Sequence, residues 1–116
     1  MRFEERDLTT YAEPISAQVL KEGQVYFSVH YVDEDLLIPL VETLVFVGRY
    51  VSSEGANLLR FQDIGSYRQG MRFGSPDAEE ASFQSSTESE VNHIFEYEHA
   101  LDELMRCALR RRKQSH

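Results

Sequence analysis

The chain has 116 residues, 41% of them hydrophobic and 11% aromatic, with 20 acids, 12 bases and a formal net charge of −8. That length fits a single domain, 1–116, and the apolar content is enough for a packed core, which argues against global disorder. No apolar run approaches the ~20 residues a membrane helix needs, and acids sit where a secretory signal would carry its apolar stretch. A cytoplasmic location without membrane contact is therefore expected.

The charge is unevenly spread. Residues 1–105 hold all 20 acids and seven of the bases, a net of −13, and the rest of the bases are Arg106, Arg110, Arg111, Arg112 and Lys113. An acidic body repels phosphate backbones, which disfavours nucleic acid as its partner and favours a basic protein. Cys107 is the single cysteine, so the chain has no internal disulfide and no thiolate metal cluster. It sits in a helical pattern and is expected to be a quiet, half-buried thiol.

Residues 1–20 read as an extended arm, because Pro14 interrupts any helix before it, with a short turn at 15–20. Alternation begins after Gly23. Val25, Phe27, Val29 and Tyr31 fall on one face, and Gln24, Tyr26, Ser28 and His30 on the other, which predicts a half-buried strand over 24–32. From Leu40 to Val51 both faces are apolar. Leu40, Leu44, Phe46 and Tyr50 share one side, and Val41, Val45, Val47 and Val51 the other, which predicts a central strand covered twice. Ser52 to Asn57 is a turn, LLRFQ at 58–62 a third strand, and the short links imply an antiparallel meander.

Asp63 is placed to cap a helical turn that Gly70 closes, and MRF at 71–73 reads as a brief fourth strand. Residues 74–87 are small, polar and acidic and read as a mobile loop. Thr87 and Glu90 form a capping box for a long amphipathic helix. Its stripe would be Val91, Ile94, Phe95, Leu101, Leu104, Met105, Ala108 and Leu109. The expected fold is α+β: a three- to four-stranded antiparallel meander, curled towards a small barrel in one variant, packed by a long C-terminal helix. Residues 110–116 would form a basic tail.

HYVDEDLLIP at 30–39 is the most unusual stretch. Asp33, Glu34 and Asp35 are adjacent, so in an extended chain their carboxylates diverge, and no EF-hand glycine or twelfth-position glutamate accompanies them. They read as a solvated link, not a metal site. Leu36, Leu37 and Ile38 are too apolar for an ordinary connection. Either they close the end of the core, or with the acids they make a rimmed partner site.

Glu96-x-x-His99 has the spacing of di-iron bundles, but one copy on one helix does not make that site, and Glu96, His99, His93 and Glu103 are expected to face water. Glu98 falls near the apolar stripe and Glu42 on the Leu44 face of the central strand. Each is expected to be semi-buried and paired, and together they are the only carboxylates that suggest acid–base work. No nucleophile or oxyanion-hole motif accompanies them, and Tyr26, His30 and Tyr50 are the other groups a cleft would recruit. Arg110, Arg111, Arg112 and Lys113 could contact phosphate, but basic residues at a helix end also complement its dipole. The glycines at 65, 70 and 74 lack phosphate-loop spacing.

The reading is a small, acidic, non-catalytic module without cofactor or metal that binds another protein, as an inhibitor or antidote covering a basic surface would, or binds itself. The alternatives are a nucleic-acid-associated regulator using the basic tail, and a small enzyme with a Glu42/Glu98 pair.

Overall fold

A computed structural model of the protein describes residues 12–74 and 81–114. The expected arm lies outside the described residues from 1 to 11. From Ala12 to Leu20 it is irregular, apart from one 3-10 turn at Ala17–Val19. Strands β1 (Val25–Tyr31), β2 (Pro39–Val51) and β3 (Asn57–Asp63) follow, joined as antiparallel hairpins. Asp63 then caps helix α1 (Ile64–Arg68) by accepting the Ser66 amide at 2.9 Å. Two further strands, β4 (Phe83–Thr87) and β5 (Ile94–Phe95), and helix α2 (Tyr97–Gln114) complete the chain.

The class is α+β, and the sheet has five strands in the order β4-β3-β2-β1-β5, all neighbours antiparallel. It is an open sheet and not a barrel: β4 and β5 lie at opposite edges. The chain therefore crosses the sheet after β4 to pair beside β1, in the manner of a Greek key. The 3-10 turn Glu88–Glu90 and Val91 make that crossing, with Val91 buried in the core.

Several expectations need correction. MRF at 71–73 is irregular; the fourth strand is Phe83–Thr87, inside the stretch read as a loop. It pairs along β3 from Leu58↔Thr87 to Gln62↔Phe83, and Phe83 stacks edge-on with Phe73 at 5.3 Å. Its polar residues suit an outer edge. The Thr87/Glu90 box exists, but it closes only the 3-10 turn. The long helix begins at Tyr97, because Ile94 and Phe95 are taken by β1, opposite Ser28 and Phe27. As strand neighbours they point to opposite faces, and each fills a different core cluster. In a helix, adjacent residues would sit about 100° apart and could not fill both.

One face of the sheet presents Tyr26, Leu44, Phe46, Leu59, Phe61 and Ile94, and the arm covers it with Ile15, Ala17 and Leu20. Arg49 locks the cover by donating to the Ala17 and Leu20 carbonyls at 2.7 and 3.0 Å. The second face of β2 therefore has a cover from its own chain, where a second copy was one expectation. The opposite face presents Phe27, Val29 and Phe95 to Ala100 and Leu104 of α2. Farther along, Val45 and Gln62 lie fully buried, with Gln62 donating to the Ser66 hydroxyl and the Met71 carbonyl at 2.9 Å each. Full burial of a large apolar side chain such as Phe46 or Phe61 contributes about 1.5–3 kcal/mol, so these two clusters hold the sheet.

A bulge lies between Phe46 and Gly48. The extra residue inverts the alternation, so Tyr50 leaves the Leu44/Phe46 side and stands over Arg60, its hydroxyl 2.5 Å from that of Ser85. Tyr50 was expected beside Phe46.

Candidate interaction site

The β1–β2 hairpin continues past its last strand pair, Tyr31↔Pro39, because Val32 donates to the Ile38 carbonyl at 3.1 Å. Between them the loop turns on Asp33. Its carboxylate accepts the Leu37 amide at 3.0 Å and the Ile38 amide at 2.8 Å. Burial pushes the Asp33 carboxyl up, but those amide bonds outweigh it and hold the group below the ordinary carboxylate range. Asp33 is thus a fastener of the loop, whereas Glu34 and Asp35 are exposed.

Leu36 has φ 60°, the one non-glycine residue with positive φ among those described. That conformation is costly for a branched side chain and persists only when neighbours impose it. Here α2 imposes it. Arg110 Nε donates to the Leu36 carbonyl at 2.9 Å, and the buried Cys107 thiol reaches the Leu37 carbonyl at 3.6 Å. Leu36 and Leu37 are half-buried while Ile38 is exposed, so the aliphatic run is divided between partly sheltered and surface positions.

Arg110 belongs to a buried network. Its Nη2 donates to the Tyr31 hydroxyl at 2.7 Å; that hydroxyl donates to Glu103, and Glu103 also accepts the Ala12 amide at 2.8 Å. Glu103 is fully buried and was expected to face water; Glu98 was expected near the core and is exposed. Both corrections have one cause. With the helix starting at Tyr97, its inner line is Ala100, Glu103 and Cys107, displaced from the apolar stripe. Burial first, then the hydrogen bond to Glu103 and its negative charge, raise the Tyr31 phenol well above its usual range. Sequence reasoning missed this network; the signal that could have found it is the helical spacing of Glu103, Cys107 and Arg110, visible only once Ile94 and Phe95 are assigned to a strand.

Glu42 and Glu98 do not form a pair. Glu42 lies on the arm-covered face, half-buried, with Gln84 Nε2 at 3.4 Å, while α2 packs on the other face. Arg110 is turned inward, leaving Arg111, Arg112 and Lys113 exposed on the last turn of α2; the basic segment is helical as far as Gln114, and 115–116 lie outside the described residues.

By the pleat of the hairpin, Val32, Ile38 and Leu40 share the face that Ile15, Ala17 and Leu20 cover farther along. They are 64%, 56% and 44% exposed. His30, opposite Leu40, follows next, and its ring meets that of His93 at 5.8 Å. Burial, and then the neighbouring His30, hold the His93 imidazole below the ordinary histidine range, against the opposing pull of the Glu90 carbonyl and Glu42. Beside them is a cleft of about 670 Å³ lined by Pro14, Val29, His30, Tyr31, Leu36, Asn92 and His93. Among the described residues no group of three or more His, Cys, Asp or Glu side chains could hold a metal ion, and no helix is long and apolar enough to cross a membrane.

Fold and surface define a class: an α+β protein with an open antiparallel sheet, one long C-terminal helix and an apolar hairpin end beside acidic side chains. Comparison with protein-family models, curated proteins and solved structures finds no match for the chain.

Proposed function

We propose that the protein is a small, acidic, non-catalytic interaction module that binds a basic surface of another protein through the end of its β1–β2 hairpin. One observation carries the reading: Val32, Ile38 and Leu40 stand exposed on one face at the end of the hairpin, whose loop also bears exposed Glu34 and Asp35. Contiguous exposed aliphatics rimmed by polar groups are the chemistry of a docking patch. The acids would steer a basic partner and set the salt dependence of the encounter, while the aliphatics supply desolvation. The loop is held in a strained shape by Asp33 and Arg110, so the patch is already formed before a partner arrives.

A photo-crosslinking side chain placed at Ile38 or Leu40 tests the reading in cells. Adducts with basic proteins are expected, suppressed by high salt and absent when the probe stands at Glu54, on the β2–β3 turn. Equal adducts from Glu54, or adducts indifferent to salt and to Leu40→Asp beside a probe at Ile38, would overturn it.

A further inference from the structure

A second exposed apolar surface lies on α2, and its chemistry differs from that of the hairpin end. Tyr97, Leu101 and Met105 are 64%, 47% and 40% exposed, and Ala108 follows them as an exposed residue one turn on. At about 100° per residue these four form a flank beside the inner line of Ala100 and Cys107. Glu103 and Arg110 lie on the other side of that line, towards the arm, where Glu103 bonds Ala12. The apolar flank is therefore the one turned towards β2. Tyr97 meets Phe27 edge-on at 5.6 Å, and the same sheet face carries Val25 and Val41, 42% and 45% exposed. Glu98, exposed three residues before Leu101, borders this strip at the start of the helix, whereas the hairpin loop bears exposed Glu34 and Asp35.

The charges along α2 are polarised. Glu98 lies in its first turn, and Arg111, Arg112 and Lys113 in its last. Laid antiparallel against itself, the helix would bring the basic end of each copy onto the acidic start of the other. A parallel arrangement would set like charges together.

We infer that the exposed flank of α2 is a twofold contact between two copies of this chain, packed antiparallel about Met105. Leu101 then lies against Ala108 of the second copy, Tyr97 against the alkyl stem and guanidinium of Arg112, and Glu98 beside Arg111 and Arg112. The choice of a second copy over another partner rests on charge. Two acidic bodies repel, and the antiparallel orientation offsets this at the contact by setting the Glu98 end of each helix against the basic last turn of the other. The surface is separate from the hairpin patch, so either proposal can fail without the other.

Sedimentation of the full chain tests it. The wild type is expected to sediment as a dimer, and Leu101→Lys with Met105→Lys as a folded monomer with unchanged far-ultraviolet dichroism. Glu98→Arg acts twice in a twofold dimer and should weaken it by about tenfold, with Arg112→Glu in the same chain restoring it. A merely structural role for Glu98 would give no such rescue. Met105→Cys should form a disulfide-linked dimer under mild oxidation, while a cysteine at Glu54 should not. A monomeric wild type, or a dimer indifferent to the lysine pair, overturns the inference. Crosslinking from Ile38 reads the hairpin proposal independently of either result.

Discussion

Glu103 shows what a single residue does in this fold. It is fully buried, and its two oxygens serve the arm, β1 and α2 together through Ala12, Tyr31 and Arg110, the last 3.6 Å from the carboxylate. Glu103→Leu removes the acceptor and leaves the Ala12 amide, the Tyr31 hydroxyl and the Arg110 charge short of their partner. Removing one member of a buried pair costs about 3–5 kcal/mol, and urea denaturation should register a loss of that order. Glu103→Gln keeps one acceptor and should lose less. Leu36 is a second case. Leu36→Gly releases the φ 60° strain but gives up a half-buried side chain, and the two effects should leave stability within about 1 kcal/mol of wild type. Leu36→Val keeps more apolar surface yet should cost about 1–3 kcal/mol, since a β-branched residue is disfavoured at positive φ. The order Gly above Val in thermal denaturation checks the claim, because hydrophobicity alone predicts the reverse.

At the scale of elements, the bulge in β2 decides which side chains reach which face. Gly48 has φ 153°, and a Cβ there would come within 3.2 Å of Glu22 Oε1. Gly48→Ala should cost about 1–3 kcal/mol in chemical denaturation. Most of that cost should remain when Glu22 is shortened to Ala, since backbone strain and not the carboxylate contact dominates. The edge strands divide the work of ending the sheet. β4 is polar and bonded to β3 along five pairs, while β5 contributes only two residues and relies on the arm, whose Ile15 amide donates to the Ile94 carbonyl at 2.9 Å. The hairpin meander was legible in the sequence because alternation and turn residues are local signals. β5 was not, since two apolar residues followed by an apolar helix look like the start of that helix.

The whole molecule should lose stability in two stages on acidification. His93 has a depressed pKa in the fold, so folding favours its neutral form. The stability this contributes is complete above the unfolded histidine value of about 6.5 and is lost as pH falls through it towards the lower folded value. Protonation there would set a charge against His30, with Glu42 and Glu90 as the partial counterweights. The urea midpoint should therefore decline as the pH falls below the unfolded histidine value of about 6.5, and His93→Asn should flatten that stretch. A second decline should follow in the carboxylate range. Glu90 is held low by the Thr87 amide and hydroxyl, and Asp63 by Ser66 and Ser82 against the opposing effect of its burial. Depressed carboxylates contribute stability above their unfolded values, lost as pH falls below them. A wild-type midpoint that stays flat as the pH falls from about 7 until the carboxylate range is reached would remove histidine from the account.

The sequence by itself determined the α+β class, the β1–β2–β3 meander, the central place of β2 and the Asp63-capped turn. Each rests on signals within a few residues: period-two alternation, a capping carboxylate, a glycine where the backbone needs positive φ. It also exposed the oddity of LLIP, whose Ile38 stands in solvent. Only the tertiary structure decided that Ile94 and Phe95 serve a strand and that Tyr50 crosses the sheet. The same holds for the rotation of α2, which buries Glu103 and leaves Leu101 and Met105 outside. Those outcomes depend on which backbone edge and which buried polar groups lie nearby in space. Helix phase follows the tightest set of contacts available, and here a carboxylate bonded to Tyr31, Ala12 and Arg110 was a stronger anchor than the most apolar stripe.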